Sequence, residues 1–253
     1  MVILVSWSAY AQEEPTERVL DETGTERTVV QEWSHVGLLR ARDLTPFGLL
    51  RLDMLPAHTA DAAAGTWTFE IQYAYQNTFI LSPNVRRYLE SRGTGRQALS
   101  AQDAAAIMAL PGDAYYIDGE VGLADLIVQR RLNDYWSVYV TIPYIRYGEG
   151  VFDSIIESFH DTFGFTQQGR DLVARNRFQF LYKLGDIQFA QLERSTRGGL
   201  GDPVLGVRYS LPEPRYGWDI VLEAAAKIAV DGKRFLLSTG EHDFGVQATL
   251  QRR

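Results

Sequence analysis

Residues 218–230 read WDIVLEAAAKIAV, and the residues at every second position of this stretch are all apolar. The opposite positions carry three charged side chains, Asp219, Glu223 and Lys227. An alternation with a period of two is typical of a β-strand with one apolar and one polar face. A slip of one residue would move all three charges onto the apolar face, so the pattern also fixes which way the strand faces.

The same alternation recurs in five further segments of the chain. They lie at residues 67–76, 115–123, 136–142, 202–211 and 244–251. Strands of soluble domains most often have about five or six residues, whereas tilted strands need about nine to eleven to cross the hydrocarbon layer of a membrane. The longer segments therefore favour membrane-spanning strands over a soluble sandwich.

The connections between these segments alternate in length. Tight turns are predicted at residues 131–134 and 212–217, and longer connections at 76–115, 147–201 and 231–242. Short periplasmic turns and long extracellular loops are typical of up-and-down barrels in the bacterial outer membrane. The predicted fold class is all-β, an antiparallel up-and-down transmembrane β-barrel with helical extracellular loops. We expect it to be incomplete at the C-terminus, because the chain stops at two arginines, whereas the outer-membrane barrels that it resembles commonly end on an aromatic residue.

Composition excludes several classes of protein. The 253 residues include 25 basic and 32 acidic side chains, a formal net charge of −7, and no cysteine. An acidic chain of this kind is a poor binder of nucleic acid, which requires clustered Lys and Arg. The four histidines show no spacing typical of metal ligands, so no metal and no cofactor is predicted.

The N-terminus resembles the end of a secretory signal. An apolar run at residues 2–5 is followed by Ala9-Tyr10-Ala11, an A-x-A cleavage pattern. We therefore predict a truncated signal peptide at 1–11, a periplasmic segment at 12–64, and the barrel at 65–253, located in the outer membrane of a Gram-negative bacterium. The alternative for the first residues is an ordinary buried strand.

Helices are predicted inside the long connections. Ser100 and Asp103 have the spacing of a capping box before an alanine-rich stretch, and a second short helix is predicted at 84–90. A hairpin at 177–183 and 187–193 would bring the wall from six strands to eight. The first long connection is expected to be a structured extracellular loop. The alternative is that its arginines bind lipopolysaccharide phosphates; they are Arg86, Arg87, Arg92 and Arg96.

The second long connection contains an amphipathic helix at residues 151–163. Its apolar stripe comprises Phe152, Ile155, Ile156, Phe159 and Phe163. We expect this stripe to pack against protein and His160 to form a structural pair with Glu157, three residues earlier. The alternative is an outer-membrane lipid hydrolase in which His160 activates Ser154 or Ser158; without a serine motif, no catalytic residue and no enzyme is predicted.

The charged residues opposite the apolar faces are expected to point into the barrel lumen. They are Glu70, Asp118, Glu120, Arg208, Asp219, Glu223 and Lys227. Buried charges must be paired or hydrated. Paired charges predict a closed structural barrel, and hydrated charges predict a passive channel for small molecules, as in porins.

Four short motifs resemble a family of Gram-negative outer-membrane barrels that is classified as a domain of unknown function. The motifs are Asp118-Gly119-Glu120, Ile142-Pro143-Tyr144, Phe159-His160 leading to Phe163-Gly164 and Arg170, and Gly199-Leu200-Gly201-Asp202. The resemblance covers residues 37–251, and the last motif is also similar to barrels associated with the catabolism of aromatic compounds. It implies a barrel but no established activity.

The expected partners are therefore outer-membrane lipid and lipopolysaccharide, the barrel assembly machinery and a small-molecule solute, with no nucleic acid. The remaining alternative is a soluble, secreted all-β binding protein. The candidate binding residues in the lumen or loops are Asp118, Glu120, Glu157, His160, Arg170, Glu223 and Lys227.

Overall fold

The computed structural model describes residues 2–11, 16–20, 26–30, 42–45, 48–54, 63–93, 95–193, 197–211, 218–230 and 236–252, with only the backbone described for the first three ranges and for 219, 251 and 252. The strands are β1 (Val2–Ala11), β2 (Thr16–Leu20), β3 (Glu26–Val30), β4 (Trp67–Leu81), β5 (Ala114–Arg131), β6 (Trp136–Gly148), β7 (Gln179–Leu184), β8 (Ile187–Gln191), β9 (Gly198–Leu200), β10 (Val204–Ser210), β11 (Trp218–Lys227) and β12 (Asp243–Arg252). The helices are α1 (Pro83–Arg92), α2 (Ala101–Ala109) and α3 (Asp153–Phe163), with a 3₁₀ turn at Arg170–Leu172.

Ten of these strands form one antiparallel sheet. Its main path runs β1-β4-β5-β6-β10-β11-β12, while β2 and β3 form a separate hairpin. The prediction of an all-β, antiparallel fold with long strands is confirmed. The described strands do not close the sheet into a barrel, because β1 and β12 are its two edges.

The sheet has a turn end and a loop end. At the turn end, β5 and β6 are joined by a tight turn in which Asn133 Oδ1 accepts hydrogen bonds of 2.9 Å from the backbone N–H groups of Tyr135 and Trp136. An asparagine side chain that bonds its own backbone in this way is a typical turn former. At the loop end, the connections after β4 and β6 contain the helices, as the alternation of lengths predicts.

The two faces of the sheet are inverted relative to those of a soluble protein. The outer face exposes large apolar side chains, namely Trp67, Phe69, Ile71, Tyr73, Leu126, Trp136, Val138, Ile142, Tyr144, Leu205, Val207, Leu222, Phe244, Val246 and Leu250. The inner face buries polar ones, namely Thr68, Glu70, Asp125, Gln129, Arg131, Ser137, Thr141, Arg208, Ser210, Glu223 and Lys227. The predicted assignment of faces is confirmed for β4, β6, β10, β11 and β12.

The prediction for β5 is wrong. Ile117, Val121 and Leu123 were assigned to the outer face, yet all three are buried on the inner face. In the pairing of β4 with β5, Arg130 lies opposite Trp67, which is an outer-face residue. Glu120 lies opposite Asn77 in the same register, an even number of residues further along both strands. Glu120 and Asp118, two residues away, therefore lie on the outer face and not in the lumen.

The physical reason is that β5 is covered on both faces near the loop end. Every residue from 116 to 123 is buried, whereas burial and exposure alternate from 124 to 131. Alternation separates an exposed row from a covered row only where one face is open, so it cannot identify the faces of this part. The side chain of Asp219, the other residue predicted to point inward, lies outside the described residues.

Residues 42–45 and 48–54, called here the inner segment, cross the inner face. The backbone N–H of Leu44 donates to Gln76 Oε1 of β4 at 3.2 Å, and that of Leu52 donates to Asp243 Oδ2 of β12 at 3.2 Å. Leu44 and Leu49 are fully buried. This part of the stretch 12–64, predicted to be periplasmic, thus packs on the inner face of the sheet, where Leu44 and Leu49 join an apolar cluster with Ile117, Val121 and Leu123.

The N-terminal residues form a strand in the sheet. β1 pairs with β4 along its whole length, from Val2 opposite Gln76 to Ala11 opposite Trp67. The apolar run that resembles a signal peptide also has the composition of a strand. The leader assignment of residues 1–11 stays a prediction.

Helices α1 and α2 pack on the outer face at the loop end. Val85 and Leu89 of α1 and Ile107 of α2 are buried in one cluster with Tyr116 of β5 and Leu181 of β7. The predicted capping box at the start of α2 is confirmed: the Ser100 side chain accepts from the Asp103 N–H, and the Asp103 side chain accepts from the Ser100 N–H. None of the helices in the described part of the chain is long and apolar enough to span a membrane.

The predicted hairpin is present as β7 and β8, but it does not enter the wall. β7 pairs with residues 114–118 of β5, and β10 pairs directly with β6. The hairpin thus extends the sheet only at the loop end. The described wall contains the six strands predicted first, with β1 beside them.

On the inner face of β10, there is no room for a side chain at position 206, which is Gly206. A Cβ atom there would overlap the ring of Tyr139, which lies directly opposite on β6. We predict that Gly206→Ala lowers the free energy of unfolding by about 1–3 kcal/mol, because the ring must move out of place. Urea titration in detergent measures the change. In a Tyr139→Ala background the same substitution should have little effect, and an equal loss in both backgrounds would contradict the argument.

Candidate functional site

Four buried polar residues form a cluster on the outer face at the loop end, called here the outer cluster. It consists of Asn77 on β4, Glu120 on β5, Asp153 at the start of α3, and Arg170 in the 3₁₀ turn. All four are at least nine-tenths buried. Two strands, one helix and one turn thus meet at this point.

Hydrogen bonds connect all four residues of the outer cluster. Asn77 Nδ2 donates to Glu120 Oε1 at 3.1 Å and to Asp153 Oδ1 at 2.9 Å. Arg170 donates to Asn77 Oδ1 at 2.6 Å and to Asp153 Oδ1 at 3.0 Å. The Arg170 guanidinium also lies over the ring of Phe79, 4.5 Å from its centroid.

Backbone groups satisfy the remaining acceptors of the outer cluster. The N–H of Phe152 donates to Glu120 Oε1 at 2.9 Å, and the N–H of Asn176 donates to Asp153 Oδ2 at 2.7 Å. Tyr75 donates its hydroxyl to Glu120 Oε2. The carboxylates therefore fix the start of α3 to the sheet and have few lone pairs left for a ligand.

Asp118 lies beside this cluster and behaves differently. Its Oδ2 accepts from the Tyr116 hydroxyl at 3.0 Å. Burial, reinforced by the negative charge of Asp153, raises the pKa of Asp118 to about 8, although the Tyr116 hydrogen bond and Arg170 oppose the shift. Asp118 is therefore mostly protonated at neutral pH.

Glu157 is a second point at which α3 is fixed to its surroundings. Arg96 donates to both of its carboxylate oxygens, at 2.9 and 2.5 Å, and Arg175 donates to Oε2. Burial raises the pKa of Glu157, but the hydrogen bonds from the two arginines outweigh it and lower the pKa to about 2. Glu157 is thus a structural carboxylate that stays ionised.

The predicted pair of Glu157 and His160 is not formed. His160 Nδ1 lies 3.0 Å from the backbone oxygen of Thr166, six residues further along the chain. Glu157 is already occupied by arginines on the side of α3 that faces the protein. Among the described residues, His160 is therefore not hydrogen-bonded to Glu157, the carboxylate that the hydrolase alternative pairs with it.

The orientation of α3 is also the reverse of the prediction. Its buried residues are the polar Asp153 and Glu157, while Ile155, Phe159 and Phe163 are more than half exposed. The buried carboxylates hold the helix in place: Asp153 binds Asn77 of β4 and Arg170, and Glu157 binds the loop residues Arg96 and Arg175. The helix ends as predicted, with Gly164 in the left-handed conformation at the C-cap, but it begins at Asp153, two residues after the predicted start.

A separate group of polar residues, called here the inner cluster, lies on the inner face. Arg208 Nε donates to Glu223 Oε2 at 2.8 Å, and Arg208 NH1 donates to Gln129 Oε1 at 2.8 Å. Tyr139 donates to Glu223 Oε1, and Gln247 Nε2 donates to Glu223 Oε2 at 3.0 Å. The predicted lumenal residue Glu223 is therefore paired and not free for a solute.

Lys227 is paired as well, at the junction of β11, β12 and the inner segment. Its Nζ lies 2.8 Å from Asp243 Oδ2 and donates to the backbone oxygen of Leu50 at 2.6 Å. Beside it is a cavity of about 30 Å³, the volume that one water molecule occupies in the liquid. Asp125 Oδ1 and Thr141 Oγ1, from residues that line the cavity, have no hydrogen-bond partner among the described residues.

The seven predicted site residues thus fall into separate places. Glu120 and Arg170 share the outer cluster, Asp118 is next to it, and Glu157 anchors α3. Glu223 belongs to the inner cluster, Lys227 binds the inner segment, and His160 lies against the backbone oxygen of Thr166. Among the described residues, no group of His, Asp and Glu is arranged to hold a metal ion.

The loop arginines that were predicted to bind phosphate are mostly occupied within the protein. Arg92 donates to the backbone oxygens of Gln97 and Leu172. Arg96 binds Glu157, and Arg86 forms an exposed ion pair with Glu90 at 3.0 Å. The geometry therefore offers no cluster of free guanidinium groups at this place.

Sequence reasoning missed Asn77, Asp153, Tyr139 and the inner segment. A usable signal existed for Asn77, since it interrupts an apolar row that runs Tyr73, Tyr75, Phe79 on the same face. A polar residue in an apolar row needs a buried partner. The partners themselves come from other parts of the chain and leave no local pattern.

The fold and its polar clusters define a class: an antiparallel all-β protein with an apolar outer face and a polar, hydrogen-bonded inner face. Residues 73–250, more than two-thirds of the chain, match the family described as "Protein of unknown function (DUF3187)", and the chain belongs to that family. No curated protein and no solved structure gives a significant match.

The outer cluster makes a prediction about the stability of the loop end. Arg170→Met should lower the free energy of unfolding by about 3–5 kcal/mol, because it removes the buried cation between Asp153 and Asn77. Urea titration in detergent measures the loss. The control is Arg86→Ala, which breaks an exposed ion pair and should change stability by less than about 0.5 kcal/mol. Equal effects of the two changes would show that the cluster is not structural.

The raised pKa of Asp118 predicts a pH dependence. The carboxyl ionises near pH 4 in the unfolded chain and near pH 8 in the folded one, so the folded state binds more protons between these values. This residue therefore makes the protein less stable as the pH rises from about 4 to about 8. Asp118→Asn should flatten that part of the curve of unfolding free energy against pH. A curve identical to that of the unmodified protein would contradict the assignment.

Proposed function

We propose that this chain is an outer-membrane β-barrel protein of a Gram-negative bacterium, with a closed lumen and a structural rather than catalytic role. The observation that carries the proposal is the inverted burial of the sheet, in which apolar side chains are exposed and charged ones are buried. In water such a surface would be unfavourable at about 25 cal/mol for each Å² of exposed apolar area. In lipid it is the expected outer surface of a barrel.

The lengths of the inverted rows support the proposal. The open apolar rows run through residues 67–73 of β4, 124–131 of β5 and 136–144 of β6. These runs have seven, eight and nine residues, so they approach, and in β6 reach, the about nine to eleven tilted residues that cross the hydrocarbon layer. Asp118, Glu157 and the outer cluster lie beyond the rows, on the side of the long loops.

Hydrogen bonds across the inner face support a sheet that is concave on that side. Arg208 of β10 reaches Gln129 of β5, and Tyr139 of β6 reaches Glu223 of β11, each bond passing over one intervening strand. Two strands that have one strand between them are about 10 Å apart in a flat sheet. Side chains converge on the inside of a curved sheet, which makes such bonds easier. Closure would also require partners for the outer edges of β1 and β12, because unpaired edges are not tolerated in lipid.

The filled interior favours a closed barrel over a passive channel. The inner charges are paired, and the inner segment occupies the space between β4 and β12. The cavity beside Lys227 has a volume of about 30 Å³, enough for ordered water but far below the several hundred Å³ of a typical ligand pocket. A small-molecule solute would have to displace the inner segment to pass, so the channel is the second candidate.

Localisation follows from the same proposal. The protein should be inserted by the barrel assembly machinery and surrounded by outer-membrane lipid and lipopolysaccharide. The soluble all-β binding protein remains the main alternative, and the lipid hydrolase is the weaker one because its histidine couple is not formed. Fractionation of the native cell envelope separates the first two.

We predict that the full-length protein sediments with the outer membrane, and that it migrates faster on a gel before boiling than after, as compact barrels do. In planar bilayers the purified protein should give no steady conductance. Recovery as a monomer without detergent would contradict the barrel. Steady ohmic conductance would contradict the closed lumen but not the barrel.

A pair of neighbouring positions on β12 provides a sharper test of the faces. Ala248 is exposed on the outer face and Thr249 is half-buried on the inner face, and the chain contains no cysteine. A nitroxide attached at Ala248→Cys should meet lipid-soluble oxygen, and one at Thr249→Cys should not. High accessibility of Ala248→Cys to a water-soluble relaxing agent would favour the soluble alternative.

A further inference from the structure

Helix α3 carries an exposed apolar surface that the structure leaves without a protein partner among the described residues. We call it the α3 stripe, and it consists of Ile155, Phe159, Phe163 and Phe165, which are 56%, 52%, 63% and 57% exposed. The three phenylalanine rings touch one another, with a centroid distance of 4.6 Å between Phe159 and Phe163. Such a ring cluster is too large to be one of the scattered apolar residues of an ordinary surface.

The direction of the stripe follows from the way α3 is anchored. Asp153 and Glu157, one turn apart, are buried toward the sheet and held by arginines. Ile155 and Phe159 lie on the far side of the helix, since successive residues are about 100° apart around the axis. The ion pairs therefore fix the helix with its apolar side turned away from the protein.

The stripe is also connected to the apolar outer face of the sheet. Phe152, directly before α3, packs edge-on against Tyr75, with the ring centroids 5.5 Å apart. Tyr75 is next to the exposed Tyr73, whose ring is 6.4 Å away, and Ile71 and Phe69 continue the same row. The exposed row of β4 thus reaches the start of α3 through Tyr75 and Phe152, and Phe152 lies about one helical turn before Ile155 of the stripe.

Serines and an aspartate occupy a third side of α3. Ser154 and Asp161 are exposed and lie on neither the sheet side nor the apolar side. The helix thus has one side for the sheet, one for an apolar medium and one for water. A helix with an apolar side and a polar side at the edge of a bilayer is the usual form of an interfacial helix.

We infer that α3 lies at the membrane surface and inserts the α3 stripe among the acyl chains of the lipid that surrounds the wall. This inference rests on the proposed function, because it extends the lipid-facing surface of the barrel to a loop helix. The half-exposed Arg175, bound to Glu157, supplies positive charge beside the helix, where lipid phosphates would lie. The occupant is lipid, and not a second protein, because the stripe continues the surface proposed to face lipid.

Fluorescence quenching in liposomes tests the inference. A polarity-sensitive fluorophore is attached to Phe163→Cys on the stripe, to Ile155→Cys as a second stripe position, and to Ser154→Cys as the matched control on the watery side. Each full-length variant is reconstituted into phosphatidylcholine vesicles. Lipids with a nitroxide on the acyl chain should quench both stripe labels several-fold more than the Ser154→Cys label, and aqueous iodide should show the opposite order.

The possible failures are distinguishable. If a label at Ala248→Cys is quenched by the acyl nitroxide but the stripe labels are open to iodide, the inference is wrong and the barrel stands. If the Ala248→Cys label is not quenched either, the proposed function fails. If the stripe labels are shielded from iodide without lipid quenching, and Phe163→Cys forms dimers with a short bismaleimide, a second copy covers the stripe and the inference is overturned.

Discussion

The hydrogen-bonded polar network on the inner face is the interaction on which the rest of the structure depends. Glu223 accepts from Arg208, Tyr139 and Gln247, and thereby connects β6, β10, β11 and β12. A buried carboxylate with fewer partners would be strongly unfavourable. Because these strands bury their polar side chains, their apolar side chains must point outward, and the exposed apolar surface is a consequence of that network.

The loop end does not follow this arrangement, because other elements cover the outer face there. There the outer face is covered by α1 and α2 on one part and by α3 on another, so the sheet is buried on both faces. Where the cover is apolar, Tyr116 and Leu181 pack with helix residues. Where the cover is α3, the sheet presents Asn77 and Glu120, and the helix presents Asp153. The switch from an open apolar row to a covered polar cluster marks the boundary between the wall and its loops.

Helix α3, like the sheet, buries polar side chains and exposes apolar ones. Its carboxylates are buried under Arg96, Arg170 and Arg175, and its phenylalanines are exposed. A soluble amphipathic helix of this composition would turn the other way, with its apolar side against the core. That both the sheet and the helix expose their apolar sides strengthens the argument that the surrounding medium is itself apolar. The inner segment covers the inner face of the sheet. This favours a closed structural barrel over a channel.

The sequence by itself determined six strands of the sheet and the β7–β8 hairpin, the capping box of α2, the glycine end of α3 and the alternation of short and long connections. Each of these depends on neighbouring residues, whose spacing is visible in the chain. Only the tertiary structure decided which face of β5 points inward, which side of α3 is buried and which charges pair. Asn77 and Arg170, for example, are 93 residues apart. Local periodicity shows that two faces differ, but the element that covers each face comes from elsewhere in the chain, and so no local pattern reveals it.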